Sequence, residues 1–332
     1  MSRPLPLAVA QFRPAKGDYA ANLKSLGEWF AHADALVPRP QVLHLPETAL
    51  TGYFVEGAVR ELAMTAGSLA RDLDAAYREA VSGARNLDVV VGFYESWRST
   101  LYNSVMCVGV GGSGPNIRHV HRKTFLPTYG LFDEERFVER GHDVRAFDTP
   151  WGRAAMLVCE DAWHSITGTI AALDDAQVIF VSAAAPARGI HLREGAVSAP
   201  ASVDRWERLI RDIAEEHGVF VSLSNLAGSE GGKLFQGSAL VAGPAGDVRA
   251  RGPLFEEALV TCALDLDDLT RVRADMPLLA DLRTALPHLR EMLSAVSASE
   301  PGRTAGVAYD AAREAVGDAG GGERGAWGLP PE

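Results

Sequence analysis

Apolar, β-rich runs alternate with longer helical patterns along most of the chain, and this alternation constrains the fold more than any other feature. Runs typical of strands include PLAVAQF, LDVVVGFYES, AAMLVCED, VIFVSAAA and VFVSLSN. Between them lie segments with apolar residues at helical spacing, such as YAANLKSLGEWFAHADAL and SVDRWERLIRDIAEEHG. Continuous apolar strands separated by helices predict sheets that are covered on at least one face, and therefore an α/β fold.

The remaining patterns predict how the chain is organised into domains. LYNSVMCVGVGG and NIRHVHRK flank a glycine-rich turn and predict a hairpin, while GSALVAGPAGDVRAR and ALVTCALDLDD predict a closing pair of strands. We expect a single domain over residues 1–296. Residues 297–332 are rich in Gly, Ala and charged residues, which predicts a mobile tail.

Composition excludes several classes of function. The net charge of −11 argues against a general basic surface for nucleic acid or for an anionic membrane. No stretch approaches the roughly 20 apolar residues of a membrane helix, and the N-terminus is typical of a first strand rather than a secretory signal. The 3 cysteines lack zinc-ligand spacing and predict no disulfide framework, so we expect no metal and a reducing cytoplasm.

The segment MLVCEDAWH places a thiol, Cys159, at the end of an apolar strand and directly before two acids. A strand-to-helix turn is a rigid mount for a nucleophile, and the free N–H groups after it can face a developing oxyanion. Two other strand ends carry suitable partners, Glu47 in VLHLPET and Lys123 in HVHRKTFLP. A carboxylate can take the thiol proton, and an ammonium can stabilise the negative charge of an intermediate.

Each of these three residues also has a purely structural interpretation. Glu47 could be an ordinary turn acid, Lys123 a surface base and Cys159 small core filler. Cys107 and Cys262 lie inside apolar strands without nearby charge, and for them we expect buried structural thiols.

Three blocks, in this order, resemble the signature motifs of the nitrilase superfamily of carbon–nitrogen hydrolases: LPETALTGY, RKTFLPTYGLFDEERF and LVCEDAWH. Weaker similarity runs from AVAQFRPAKGDYAANL through segments that include VVVGFYES and LYNS to about residue 285. The resemblance implies an α-β-β-α sandwich, in which two sheets pack face to face with helices outside. It also implies a Glu-Lys-Cys triad at Glu47, Lys123 and Cys159. A second active-site glutamate falls on Glu134, with Glu135 as a close alternative for which a solvated position is preferred.

The resemblance further implies acyl transfer through a thioester, with no metal or organic cofactor. The Glu160 backbone N–H would face the oxyanion, Asp161 would cap the following helix, and Lys123 would offset the charge of these two acids at the sulfur. A thiol reagent should then alkylate Cys159 well below pH 8, and far faster than it alkylates Cys107 or Cys262.

Within the superfamily, the chain is most similar to the glutamine-amidase domain of glutamine-dependent NAD synthetases, and Tyr129 matches a substrate-side tyrosine of that branch. No Gly-rich SGG-type loop of a synthetase domain follows residue 285, and SAAAPARGIH lacks the serine usual in that branch. We therefore expect hydrolysis of a small linear primary amide. An N-carbamoyl amine or a nitrile is the alternative substrate, and an ammonia-supplying or binding subunit of a separate synthetase is the alternative class.

The substrate pocket is expected where the three strand ends meet. Its predicted walls are Tyr53, Tyr129, Trp163 and the loop AAAPARG, in which Arg188 could meet a substrate carboxylate. The resemblance also implies pairing through helices near the nucleophile. SITGTIAALDDA is therefore a candidate interface, and we expect a homodimer or a larger even-numbered assembly.

Overall fold

The computed structural model describes residues 4–83, 85–191 and 199–298. The strands are β1 (Pro4–Gln11), β2 (Val42–His44), β3 (Leu87–Trp97), β4 (Thr100–Val110), β5 (Asn116–Arg122), β6 (Ala146–Thr149), β7 (Gly152–Val158), β8 (Val178–Ala183), β9 (Ile190–His191), β10 (Ala199–Pro200), β11 (Phe220–Asn225), β12 (Ala227–Glu230), β13 (Lys233–Gln236), β14 (Leu240–Ala242), β15 (Val248–Arg251) and β16 (Ala258–Asp265). The helices are α1 (Tyr19–Asp34), α2 (Val59–Leu62), α3 (Ala66–Ala80), α4 (Ser165–Leu173), α5 (Ala201–His217), α6 (Asp267–Asp275) and α7 (Leu278–Ala298).

Two six-stranded sheets form the centre of the fold. The first sheet has the order β16-β1-β2-β3-β4-β5, and the second has the order β15-β14-β11-β8-β7-β6. Every residue of β8 and β11 is buried, as is the C-terminal part of β7, because these strands are covered on both faces. Contacts of β1 with β11, β3 with β8 and β4 with β7 join the two sheets face to face.

Helices cover the outer faces of both sheets. α1 packs on α3, which in turn contacts β4 and β5 of the first sheet, whereas α5 contacts β11 and β14 of the second sheet. In α5 the buried residues Val203, Trp206, Ile210 and Ile213 recur at helical spacing, so that one apolar face is directed at the sheet. The predicted α-β-β-α sandwich is confirmed.

The predicted hairpin is present, since β4 and β5 pair antiparallel. The predicted closing pair of strands is wrong. β14 and β15 form a hairpin with each other in the second sheet, and β16 instead pairs antiparallel with β1 in the first sheet. A tight turn closes that hairpin: the Gly243 N–H donates to the Asp247 carbonyl, and Gly246 has a positive φ of 72°.

The edge position of β16 also changes the interpretation of one cysteine. Cys107 is fully buried in β4 as expected, but Cys262 is only partly buried and lies near the charged groups of Arg249 and Asp247. The predicted burial therefore holds for Cys107 and is wrong for Cys262, and the predicted absence of nearby charge is wrong for both, since Asp88 and Arg118 lie near Cys107. An edge strand with a partly solvated face explains the difference.

The chain divides into two compact units, residues 1–279 and 280–332. Both sheets belong to the first unit. Of the second unit the structure describes residues 280–298, which form most of α7. The predicted tail falls largely on residues 299–332, outside the described part, so the proposed domain limits stay predictions. None of the helices in the described ranges is long and apolar enough to cross a membrane.

Candidate active site

Three chemically reactive side chains lie at strand ends, as the sequence predicts. Glu47 follows β2 and Lys123 follows β5 in the first sheet, and Cys159 follows β7 in the second. Glu47 and Lys123 are completely buried, and Cys159 is 8% exposed. Buried ionisable groups are costly unless they are paired, so their partners determine what this cluster can do.

Lys123 forms ion pairs with two carboxylates. Its Nζ lies 2.9 Å from Oε1 of Glu47 and 2.6 Å from Oε1 of Glu134. Burial alone would lower the pKa of Lys123, but the negative charges of Glu134 and Glu47 raise it well above its ordinary value. Lys123 is therefore a fixed ammonium.

Glu47 presents its two carboxylate oxygens differently. Oε1 accepts hydrogen bonds from Nζ of Lys123 and, at 2.7 Å, from Nδ2 of Asn103. Oε2 is buried and has no hydrogen-bond partner among the described residues. One oxygen thus fixes the orientation of the carboxylate, and the other remains able to accept a proton.

Two residues that support Glu47 were not predicted from the sequence. Asn103 also accepts the Lys123 backbone N–H with its carbonyl, at 2.8 Å, so it joins both charged groups. Gly92 lies under the Glu47 turn, where an added Cβ would come within 2.5 Å of the Glu47 Cα. Both lie in the segments of weaker similarity, VVVGFYES and LYNS, where the sequence offers no chemical signal for them.

Glu134 and Glu135 have very different surroundings. Glu134 is buried at the start of a short 3-10 helix, Glu134–Arg136, and accepts hydrogen bonds from Lys123 and from the Tyr53 hydroxyl. Glu135 is exposed and pairs with Arg140. Burial raises the pKa of Glu134 to about 7, although Lys123 opposes the shift. The geometry therefore places Glu134, rather than Glu135, beside Lys123.

Cys159 is the first residue of a 3-10 helix, Cys159–Trp163, and has a left-handed backbone with φ of 45°. Burial raises the pKa of its thiol well above the ordinary value, and the charges of Glu47 and Glu134 add to the shift. Lys123 and a backbone hydrogen bond from Ala184 act in the opposite direction. The resting sulfur is therefore a thiol, and its reactivity depends on a base that removes the proton during attack.

The predicted role of Asp161 as a cap of the following α-helix is wrong. α4 begins after His164 without a side-chain cap. The buried Asp161 carboxylate instead accepts the backbone N–H groups of Val158, Thr124 and Phe125 at 2.9 to 3.0 Å. It thereby joins the residue before Cys159 to the two residues after Lys123.

The remaining predicted residues lie around this cluster at different depths. Tyr53 is buried, and the exposed Tyr129 donates its hydroxyl hydrogen to the Glu160 carboxylate at 2.8 Å. Burial and this bond raise the pKa of Tyr129 to about 12, so its hydroxyl stays protonated. The exposed Arg188 guanidinium lies 4.9 Å from the ring centre of Phe132.

Trp163 packs against Trp206 of α5, with ring centres 5.2 Å apart, and is 40% exposed. Its substrate-binding role stays a prediction. A cavity of about 260 Å³ is lined by Tyr53 and Glu134, among others, but not by Cys159. Within residues 4–83, 85–191 and 199–298, no group of three or more His, Cys, Asp or Glu side chains is placed to hold a metal ion.

Comparisons with known proteins place this geometry in context. Residues 6–274 match the model of the carbon-nitrogen hydrolase family. The glutamine-dependent NAD(+) synthetase of Aquifex aeolicus (strain VF5) is 26% identical over 84% of this chain, and the match spans 45% of the synthetase. N-carbamoylputrescine amidase of Solanum lycopersicum is 27% identical over 66% of this chain and 72% of the amidase.

Among solved structures, a carbon-nitrogen hydrolase from Helicobacter pylori G27 superposes with a TM-score of 0.71 at 21% identity, covering 84% of this chain and 95% of that one. This likeness concerns the fold. The chain spans less than half the length of the synthetase that it matches. The family match covers most of the sequence, and the chain therefore belongs to the carbon-nitrogen hydrolases of the nitrilase superfamily.

Proposed function

We propose that this protein hydrolyses a small linear primary amide through a thioester on Cys159. The observation that carries the proposal is the arrangement of Glu47. One of its oxygens is held by Lys123 and Asn103, and the other is buried and without a partner among the described side chains. A base fixed in this way, close enough to the buried Cys159 thiol for its charge to raise the pKa of that thiol, suits proton transfer coupled to nucleophilic attack.

In the acylation half of the reaction, Glu47 removes the Cys159 proton as the sulfur attacks the amide carbon. The Lys123 ammonium and the Glu160 backbone N–H stabilise the oxyanion. Protonated Glu47 then donates its proton to the departing nitrogen. The C–N bond breaks, ammonia leaves and the acyl group remains on sulfur.

In the second half, a water molecule takes the place of ammonia. Glu47 removes a proton from this water as its oxygen attacks the thioester carbon. The C–S bond breaks, the carboxylic acid leaves and the proton returns to the sulfur. Glu134 keeps Lys123 oriented in both halves through their 2.6 Å ion pair.

Two alternatives remain. The first is another substrate class for the same chemistry, and the second is a different class of function. N-carbamoyl amines or nitriles would use the same nucleophile, and the similarity to an N-carbamoylputrescine amidase supports the former. An ammonia-supplying subunit of a separate synthetase is supported by the similarity to part of the glutamine-dependent NAD(+) synthetases.

We also propose a location in a reducing cytoplasm. The three cysteines are free thiols, which supports this location.

Ammonia release from a panel of primary amides, glutamine, N-carbamoyl amines and nitriles tests the proposal. We expect the highest kcat/KM for a short linear amide. Preference for a carbamoyl compound or a nitrile would change the substrate class and leave the chemistry intact. No release from any member, with an intact and folded protein, would contradict hydrolysis and favour a binding subunit.

Arg188 provides a prediction about substrate charge. Its guanidinium stacks on Phe132, which in turn packs on Tyr129, so it lies at the outer side of the cluster. We expect ω-amides of dicarboxylic acids to outperform neutral amides of equal length. Arg188→Ala should reduce this preference in kcat/KM about 10-fold by removing a charged hydrogen bond. Arg140→Ala, at another exposed arginine, is the control, and equal kcat/KM for both amide types in the unmodified enzyme would contradict the idea.

We also propose that the protein is a homodimer or a larger even-numbered assembly. Trp163, Ile166 and Ile170 are 40%, 46% and 39% exposed and follow helical spacing along α4 and the turn before it. An exposed apolar stripe of this kind suits burial against a second copy. Light scattering at micromolar concentration should give an even multiple of the chain mass, and Ile170→Glu should shift it towards the monomer. A monomeric mass for the unmodified protein would refute the proposal.

A further inference from the structure

His44 connects the two sheets inside the sandwich. It is fully buried at the end of β2, and its ring contacts serines on two strands of the opposite sheet. Nδ1 lies 2.9 Å from Oγ of Ser222 on β11, and Nε2 lies 3.2 Å from Oγ of Ser182 on β8. The edge of the Phe180 ring closes the contact, with ring centres 5.1 Å apart.

The hydrogen bonds determine which ring nitrogen carries the proton. The Leu45 carbonyl can only accept, so the Ser182 hydroxyl, 3.0 Å away, must donate to it. Ser182 therefore accepts from the Nε2–H of His44. Nδ1 is left without a proton and accepts the Ser222 hydroxyl hydrogen. Burial lowers the pKa of His44 to about 3, which agrees with a neutral ring.

Ser182 is placed between the two halves of the candidate active site. Its backbone is in parallel register with Val158, the residue immediately before Cys159. Its hydroxyl binds the carbonyl of Leu45, two residues before Glu47. Ala184, which forms the backbone hydrogen bond to the sulfur, follows two residues after Ser182. One side chain thus links the strand end that carries the base to the strand end that carries the nucleophile.

We propose that Ser182, oriented by His44, is a positioning residue that sets the distance between the Glu47 carboxylate and the Cys159 sulfur. The inference rests on the proposed function, since it assigns Glu47 as the base. Ser182 does not touch the reacting atoms. It acts through Leu45, and a displacement of about 1 Å in such a geometry can lower a rate by up to about 100-fold.

Ser222 offers a matched control. Both serines are fully buried, both lie on strands of the second sheet, and both bind the same imidazole. Only Ser182 also binds the backbone next to Glu47. Loss of either hydroxyl leaves one ring nitrogen of His44 unsatisfied, and loss of the Ser182 hydroxyl also leaves the Leu45 carbonyl without this donor, so Ser182→Ala should lower the melting temperature somewhat more than Ser222→Ala.

The experiment measures the rate at which iodoacetamide alkylates Cys159 at pH 7, followed by mass spectrometry of the full chain. Because the resting sulfur is a protonated thiol, this rate reports on proton removal by Glu47. We expect Ser182→Ala to slow alkylation about 10-fold and Ser222→Ala to change it less than 2-fold. Ser182→Thr retains the hydroxyl and should restore most of the rate. The same order is expected for kcat on the best amide, with KM little changed.

The outcomes separate this inference from the proposed function. If Cys159 is reactive in the unmodified protein and its alkylation rates in Ser182→Ala and Ser222→Ala are equal, the inference is overturned and the proposed function still stands. Loss of folding in Ser182→Ala but not in Ser222→Ala would also overturn it, because the hydroxyl would then hold the fold rather than the site. Cys159 no more reactive than Cys262 in the unmodified protein would contradict the proposed function and the inference with it.

Discussion

Replacement of Cys159 by alanine is expected to abolish hydrolysis, with a fall in kcat of about 10⁶-fold. In the described part of the site, no thiol other than that of Cys159 lies next to Glu47 and Lys123, so no other group there can form the thioester. Alanine is smaller than cysteine and should fit at the end of β7. Ammonia release from the best substrate of the panel measures the effect. Mass spectrometry after rapid quenching should show an acyl adduct on the unmodified chain and none on the variant.

Cys262→Ala is the control for this experiment, because it removes a thiol from an edge strand far along the chain from all three strand ends. It should leave kcat unchanged. Glu47→Gln should lower kcat about 10³-fold, since an amide cannot carry the proton. Retained turnover in folded Cys159→Ala would contradict the assignment of Cys159 as the nucleophile.

Replacement of Lys123 by methionine is expected to lower the free energy of unfolding by about 3–5 kcal/mol, because it leaves two carboxylates buried without their counterion. Glu47 and Glu134 are completely buried and 7% exposed, so solvent cannot compensate for the lost ammonium. Urea denaturation at pH 7 measures the change. Activity should also disappear.

The double variant Lys123→Met, Glu134→Gln separates charge from packing. The neutral glutamine removes one of the two uncompensated charges, so part of the lost stability should return, while activity should not. If Lys123→Met is as stable as the unmodified protein, the ion pairs of Lys123 with Glu47 and Glu134 do not stabilise the fold, which would contradict this prediction.

Part of this molecule could be predicted because the relevant signals are local. Glu47, Lys123 and Cys159 each follow an apolar run that ends at a turn, and strand ends of a layered α/β fold meet at common edges. The choice between Glu134 and Glu135 came from motif spacing, and burial in the structure agrees with it. The layered architecture followed from the same alternation of strands and helices together with the family resemblance.

Other features depend on partners that are distant in sequence. Asp161 looks like a helix cap in its local sequence, yet besides the nearby Val158 N–H its carboxylate accepts the backbone N–H groups of Thr124 and Phe125, which lie 37 and 36 residues earlier. The sequence predicts that β16 pairs with the strands just before it, but β16 pairs with β1 near the start of the chain. Hydrophobic patterns identify strands but not their neighbours, and a single polar residue does not reveal its acceptor.

The left-handed backbone at Cys159 means that the proposed catalytic role of this residue opposes its contribution to folding. A side chain in this conformation costs roughly 1 kcal/mol relative to glycine, which adopts it without strain. A second free-energy cost at this position is the burial of the Cys159 thiol near the carboxylates of Glu47 and Glu134. Glycine at position 159 would relieve this backbone strain, but it would also remove the proposed nucleophile.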